Sequence, residues 1–151
     1  MKIYRNISEL PVFSFPVVTV GTFDGVHLGH RQILGRLKEI AQKNHGESIV
    51  VTFEPHPRMV LGQYGTAVKL INTSFRKYEL IETLGVDHLI ILPFTLEFSK
   101  IPWEDFVRGF IVKTLHTRCL VVGYDHRFGH GRQGDHDKLI ALSKEAGFCV
   151  E

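Results

Sequence analysis

The apolar residues of the chain form short continuous runs that are separated by longer stretches with helical spacing. The run at 16–20 is rich in β-branched residues, and such a run is typical of a strand buried on both faces. Four similar runs predict further strands, and the apolar residues between them recur at the spacing of amphipathic helices. The predicted strands span 16–20, 48–53, 88–92, 119–122 and 148–150, and the predicted helices span 28–44, 73–85, 102–115 and 135–146.

Strands that alternate with helices predict an α/β fold, with a parallel sheet of about five strands and helices on both faces. Residues 1–15 predict an additional edge strand and a turn, and the glycine-interrupted residues 59–72 predict an irregular loop. In parallel sheets, ligands bind outside the carboxyl ends of the strands. The segments at those ends hold most of the residues of chemical interest, and they span 21–30, 54–58, 93–100 and 124–134.

Composition narrows the class of protein. A length of 151 residues suits one domain, and the net charge of +2 comes from scattered basic residues, so neither nucleic acid nor a membrane surface is an expected partner. The sequence has no signal peptide and no apolar run long enough to span a membrane, which predicts a cytoplasmic protein. Cys119 and Cys149 lie in predicted strands, and we expect both to be free buried thiols.

The turn after the first core strand has the features of an anion site. Gly21, Gly25 and Gly29 allow sharp turns and close approach to a ligand. The helix that follows presents unpaired N–H groups and the positive end of its dipole to the turn. His27 and His30 are three residues apart, so they project from nearly the same side of the start of the helix. This arrangement suits a phosphate group.

Other motifs are weaker. The chain has no P-loop, and the dinucleotide-type glycine pattern at 129–134 begins five residues too late after Gly123. A glycine-rich lid carrying Arg127 and Arg132 is favoured for that segment, with a solvated loop as the alternative. His27 and His30 supply only two zinc ligands, so structural zinc is not favoured. Phe23 and Phe128 lie beside glycines at strand ends and are expected to line a ligand pocket.

Four stretches together resemble the bacterial bifunctional riboflavin kinase/FAD synthetase family. They are Gly-Thr-Phe-Asp-Gly-Val-His-Leu-Gly-His at 21–30, Val-Thr-Phe-Glu-Pro-His-Pro at 51–57, Leu-Glu-Phe-Ser at 96–99, and the segment at 121–135. His-x-Gly-His occurs in several kinds of nucleotidyltransferase, whereas its combination with the Pro-His-Pro segment is more specific. The resemblance implies a Rossmann-like nucleotidyltransferase fold for residues 1–151, corresponding to the N-terminal FMN adenylyltransferase module of that family.

The resemblance implies that AMP is transferred from MgATP to the phosphate of FMN, giving FAD and pyrophosphate. The attacking phosphate is already anionic, so this chemistry requires positioning and charge stabilisation rather than a nucleophilic side chain. The implied catalytic residues are His27 and His30. The implied ATP-binding residues are Gly21, Phe23, Asp24, His27, Gly29, His30 and Asp125, with Asp125 also a candidate Mg²⁺ ligand. The implied flavin-binding residues are Phe53, Pro55, Pro57, Phe106 and Phe128.

The sequence departs from the family pattern in two places. Tyr124 and His126 stand where the family often has an acidic residue and a phenylalanine. The family's second signature, an Ile-Ser-Ser-Thr-x-x-Arg-like segment after the fifth strand, does not occur before the sequence ends at Glu151. We therefore expect a C-terminally shortened adenylyltransferase domain without the kinase domain. The alternatives are another His-x-Gly-His nucleotidyltransferase, acting on phosphopantetheine or on a cytidylyl acceptor, and a non-catalytic module that binds nucleotide or flavin.

Overall fold

The computed structural model describes residues 1–25, 28–62, 73–123 and 136–151. The strands are β1 (Lys2–Tyr4), β2 (Pro16–Val20), β3 (Glu47–Glu54), β4 (His88–Pro93), β5 (Cys119–Val121) and β6 (Cys149–Val150). The helices are α1 (Leu28–Lys43), α2 (Pro57–Leu61), α3 (Ser74–Thr83), α4 (Leu96–Ser99), α5 (Trp103–Phe106) and α6 (His136–Ala146). A 3₁₀ turn spans Ile7–Glu9, and a π-helix at Val107–Thr114 continues α5.

The strands form one parallel sheet in the order β1-β4-β3-β2-β5-β6. The five predicted core strands are confirmed, and β1 is the predicted edge strand. The chain passes from β2 to β3 on one side and later places β5 on the other side of β2. The direction of the strand order therefore reverses between β2 and β5, and this switch point is where such sheets bind ligands.

Alternate residues of the strands point into two apolar layers, one on each face of the sheet. On one face, Val17 and Val50 pack with α1 and α3, which contribute Leu37 and Ile81. On the opposite face, strand residues such as Val18 pack with α5, the π-helix and α6. Helices therefore cover both faces, as predicted.

The two cysteines form a disulfide, so the prediction of free thiols is wrong. Cys119 in β5 and Cys149 in β6 are directly paired in the parallel register, and their Cα atoms are 4.4 Å apart. This separation is compatible with a disulfide. No local pattern indicated the pairing, because two cysteines 30 residues apart become neighbours only through the strand order.

The helices differ from the prediction in three places, of which the first is the short α4 at Leu96–Ser99, where no helix was predicted. Residues 59–61, which were predicted as irregular, belong to α2, where His56 caps the helix by accepting from the N–H of Arg58 at 3.1 Å. The predicted helix at 102–115 changes from α to π after Phe106, and the N–H of Leu115 donates to the carbonyl of Phe110 at 3.0 Å. Thr73 caps α3, because its hydroxyl accepts from the N–H of Arg76.

Candidate functional site

A cavity of about 510 Å³ lies at the switch point, between the carboxyl ends of β2 and β5 and the start of α1. We call it the turn cavity. Its lining comprises Thr19, Val20, Gly21, Thr22, Phe23, Gly29, His30, Gln32, Ile33, Arg36, Val121, Val122, Gly123 and Glu151. Because the first N–H groups of a helix have no intrahelical acceptor, the start of α1 offers donors at this cavity. The turn cavity is therefore suited to an anionic ligand.

Phe23 supports the histidine in the turn cavity. The Phe23 residue has a φ of 50° and is only 2% exposed, and its ring centroid lies 5.1 Å from that of His30. A Cβ atom at Gly21 would lie 3.0 Å from Cε2 of Phe23. Gly21 therefore leaves room for the Phe23 ring, which in turn packs against the His30 ring.

A second cavity of about 470 Å³ lies beside the first, and we call it the loop cavity. Its lining comprises Thr22, Asp24, Phe53, Glu54, Pro55, His56, Met59, Ser74 and Lys77. Thr22 lines both cavities, so the two share a wall at the turn after β2. Two ligands bound in these cavities would be close neighbours.

Glu54 ends β3 and is held from two sides. Its carboxylate accepts hydrogen bonds from the Tyr78 hydroxyl and from the Arg5 guanidinium, the latter at 2.9 Å. Burial acts to raise the pKa of Glu54, but hydrogen bonds with Ser74 and Arg5, together with the charge of Lys77, hold that pKa below its usual value. The carboxylate is therefore charged at neutral pH and fixes the segment that begins at Pro55.

His56 is uncharged at neutral pH. Burial lowers its pKa, and the charges of Arg58 and Lys77 act in the same direction, while Asp24 opposes them. The neutral ring is the form that can accept a hydrogen bond at Nδ1, as it does from the N–H of Arg58. His56 therefore acts as a helix cap at the mouth of the loop cavity.

Lys77 and Ser74 are lining residues that the sequence analysis did not identify. Lys77 is only 7% exposed, and its ammonium group donates to the Thr52 hydroxyl at 3.2 Å and to the Thr22 carbonyl at 3.5 Å. The sequence signal for a buried Lys77 was its place beside Tyr78 on the apolar face of α3. A lysine at such a position more often buries only its stem and keeps its ammonium group in water. Arg36 was also missed, and it lines the turn cavity while paired with Glu39 and Glu151.

The structure distributes the residues of the sequence hypothesis over three cavities. Gly21, Phe23, Gly29 and His30 line the turn cavity, whereas Asp24, Phe53 and Pro55 line the loop cavity. Phe106 instead lines a separate apolar cavity of about 290 Å³ with Phe98 and Phe110, and its ring centroid is 6.4 Å from that of Phe53. Pro57 begins α2. His27, Asp125, Phe128, Arg127 and Arg132 lie outside the described residues.

The sequence profile of the FAD synthetase family matches residues 13–151. The chain belongs to that family. Its relatives include proteins named bifunctional riboflavin kinase/FMN adenylyltransferase from Buchnera aphidicola (subspecies Acyrthosiphon pisum) and Escherichia coli K12. They are 35% and 34% identical to this chain, and each alignment covers 99% of the chain and 48% of the relative. This FAD synthetase family chain therefore spans about half the length of these curated relatives.

Solved structures share the α/β fold of this FAD synthetase family member. A Streptococcus pneumoniae structure described as a macrolide-efflux protein superposes with a TM-score of 0.84 at 24% identity, covering 99% of this chain and 49% of the other. Pantothenate synthetase from Thermus thermophilus gives a TM-score of 0.57 at 17% identity, covering all of this chain and 60% of the other. At these identities the likeness concerns the fold alone. Within the described ranges, no helix is both long and apolar enough to cross a membrane.

Proposed function

We propose that the protein is an FMN adenylyltransferase, which transfers AMP from ATP to the phosphate of FMN and releases pyrophosphate. The observation that carries this proposal is the pair of cavities that share Thr22 at the switch point of a FAD synthetase family fold. ATP would occupy the turn cavity and FMN the loop cavity. Of the two activities in the relatives' names, we assign only adenylyl transfer to residues 1–151.

The reaction would be a direct displacement at the α-phosphorus of ATP. An oxygen of the FMN phosphate forms the new bond, the bond from the α-phosphorus to the bridging oxygen breaks, and pyrophosphate leaves with the electron pair. No side chain needs to remove a proton, because the attacking phosphate is already ionised. His30, His27 and the N–H groups at the start of α1 would stabilise the charge that develops on the phosphates.

We infer that His30 contributes more than the helix dipole. Removing one preorganised donor typically costs about 2.7–4 kcal/mol of transition-state stabilisation. A helix dipole typically supplies only about 0.3–1 kcal/mol at an exposed terminus. The difference makes the imidazole the stronger determinant of rate at the turn cavity.

Asp24 and Asp125 are the residues that we propose to hold Mg²⁺. The Asp24 carboxylate lines the loop cavity beside Thr22, and it is a hard oxygen donor of the kind this ion prefers. Within the described ranges, no group of three His, Cys, Asp or Glu side chains could hold a metal alone. Mg²⁺ is often bound by one or two carboxylates plus substrate phosphates, so Asp24 fits. When bound, the ion would neutralise phosphate charge.

The flavin ring would lie against Phe53, beside the rigid Pro55–Pro57 segment. Phe53 and Pro55 line the loop cavity, and a flat aromatic ligand gains from packing against an aromatic face. Phe106 lies beside this region, with its ring centroid 6.4 Å from that of Phe53, but it lines a different cavity. We also propose that the protein acts in the cytoplasm on small-molecule substrates.

The test is to incubate the purified full-length protein with FMN, ATP and Mg²⁺ and to measure FAD and pyrophosphate. We expect the two products in equal amounts. A folded protein that binds ATP and FMN but forms no FAD would be a binding module, which would overturn the proposal. Adenylylation of phosphopantetheine but not of FMN would keep the chemistry and overturn the acceptor.

A further inference from the structure

Lys77 occupies an unusual position for a lysine, because it is 7% exposed and lies where α3 meets the ends of two strands. Burial lowers the pKa of its ammonium group, while Glu54 and Asp24 act to raise it and Arg5 acts to lower it. Within the described ranges, no carboxylate forms a salt bridge with Lys77 at 4.0 Å or less. A buried ammonium is costly, so the hydrogen bonds that it makes are the ones that keep it in place.

Those hydrogen bonds form a closed triangle. The Lys77 ammonium donates to the Thr52 hydroxyl at 3.2 Å and to the Thr22 carbonyl at 3.5 Å, and the Thr52 hydroxyl donates to the same carbonyl at 3.3 Å. Thr52 is fully buried in β3, so it provides a rigid anchor. The triangle ties the turn after β2 to both β3 and α3.

The tied residue is the one that the two cavities share. Thr22 lines the turn cavity on one side and the loop cavity on the other, and it is followed by Phe23, whose ring packs against His30. A shift of the Thr22 carbonyl would therefore change the distance between ligands in the two cavities. It would leave most of the lining of each cavity in place.

We propose that Lys77 is a positioning residue for adenylyl transfer, which fixes the wall at Thr22 so that ligands in the two cavities are held in line with each other. This inference rests on the proposed function. Alignment of two bound reactants contributes to the turnover step, and a misplacement of about 1 Å can cost roughly a hundredfold in rate. Affinity for each ligand alone depends mainly on the rest of its cavity.

The test compares Lys77→Met, which keeps the buried stem but removes the donors, with Lys77→Arg, which keeps donors and charge. We expect Lys77→Met to lower kcat for FAD formation by roughly a hundredfold. The Kd values for ATP and for FMN, measured separately by calorimetry, should each change by less than about threefold, because neither cavity loses most of its lining. Lys77→Arg should recover at least about a tenth of the wild-type kcat, because it restores donors.

Thr52→Val removes the other corner of the triangle at nearly constant volume. We expect it to lower kcat in the same direction, and adding Lys77→Met to it should cost much less than Lys77→Met costs alone, because both changes break one unit. Arg76→Met is the matched control, since Arg76 lies on the same helix in an exposed ion pair with Glu79. It should leave kcat unchanged.

A measurement without substrates separates this inference from the proposed function. The Thr22 carbonyl belongs to the same peptide group as the N–H of Phe23, so loss of the triangle should shift the Phe23 amide resonance in Lys77→Met and in Thr52→Val, but not in Arg76→Met. If the wild type makes no FAD, the proposed function fails. A shifted Phe23 amide would still support the claim that Lys77 and Thr52 hold the Thr22 carbonyl in place. An unshifted Phe23 amide in folded Lys77→Met overturns the inference. So does a kcat within about threefold of wild type, or a parallel loss of kcat and of both affinities.

Discussion

The two cavities differ in how the chain builds them. The turn cavity is made mostly from one continuous segment, the end of β2 and the start of α1, with β5 closing it. The loop cavity is assembled from the turn after β2, the segment after β3, and α3, which starts 20 residues after Glu54. A site formed by one segment leaves a local sequence motif. A site assembled from several segments leaves scattered residues whose roles become visible only in the fold.

The two cavities also differ in the chemistry of the side chains that line them. The walls of the turn cavity are mainly glycine and the ends of apolar strands around His30, and its charged side chains, Arg36 and Glu151, are paired with each other. The loop cavity is lined by three charged side chains, Asp24, Glu54 and Lys77. The charge of Lys77 acts to lower the pKa of Glu54, and the charges of Glu54 and Asp24 act to raise the pKa of Lys77. We therefore expect changes at the turn cavity to act on the chemistry directly. Changes at the loop cavity should act on acceptor binding and on local structure, except at Lys77, whose hydrogen bonds reach the wall that both cavities share.

The largest effect should come from His30→Ala in the turn cavity. Loss of one preorganised donor should lower kcat/KM for FAD formation by about 10²- to 10³-fold. The control is His45→Asn, because His45 lies beyond the far end of α1 with a φ of 50°, a conformation that asparagine tolerates. If His30→Ala and His45→Asn are equally active in steady-state assays, His30 has no catalytic role.

Gly21→Ala should have a smaller effect than His30→Ala. The added Cβ would lie 3.0 Å from the Phe23 ring, which packs against His30, so the ring must move and carry the imidazole with it. We expect a roughly tenfold decrease in kcat/KM for ATP, because small misplacements of catalytic groups are costly. Gly35→Ala is the matched control, since nothing lies within 4 Å of a Cβ there. A decrease shared by both variants would contradict the role of the Phe23 contact.

Phe53→Ala and Phe106→Ala separate the loop cavity from its aromatic neighbours. Phe53 lines the loop cavity and Phe106 does not, although both were predicted to bind flavin. Loss of one aromatic packing partner should raise the KM for FMN about 3- to 10-fold in Phe53→Ala. Phe106→Ala should leave the KM for FMN nearly unchanged and lower the melting temperature instead. Equal increases in the KM for FMN in the two variants would show that Phe106 also contacts the flavin.

The smallest effect concerns acid stability. The pKa of Glu54 is held below its usual value in the folded protein, so its ion pair adds stability above the unfolded pKa near 4.5, and this contribution is lost as pH falls through the lower folded pKa. The pair with Arg5 is partly exposed, which limits its contribution to about 1 kcal/mol or less. Urea unfolding at pH 7 and pH 3 should show a smaller pH dependence for Glu54→Gln than for wild type. An unchanged dependence would show that the pair contributes nothing.

The fold was predictable because its signals are local and repeated. The run at 16–20 and the helical spacing of Leu34 and Leu37 each report burial directly, and strict alternation of elements leads to a parallel sheet. The disulfide was not predictable, because it depends on β5 and β6 being neighbours in register. The π-helix after Phe106 was also missed, because apolar residues at helical spacing indicate a helix but do not distinguish i→i+5 from i→i+4 hydrogen bonds.

The candidate site was predictable only in part. Gly21, Gly29 and His30 stand in one motif, and the structure brings them to one cavity. Asp24 belongs to the same motif but lines the neighbouring cavity. Lys77 could not be recognised, since its partners, the Thr22 carbonyl and the Thr52 hydroxyl, are remote in sequence and one of them is backbone.

The hydrogen bond from Arg5 to Glu54 shows that the folded sheet begins before the family profile does. The family profile starts at residue 13, yet β1 pairs with β4, and Arg5 lies just after β1 and reaches the end of β3. A gene fragment cut at the profile boundary would discard an outer strand and the cation that steadies the rim of the loop cavity. The limits of the profile therefore do not coincide with the limits of the folded sheet, because the residues ahead of the profile supply an outer strand and a contact to Glu54.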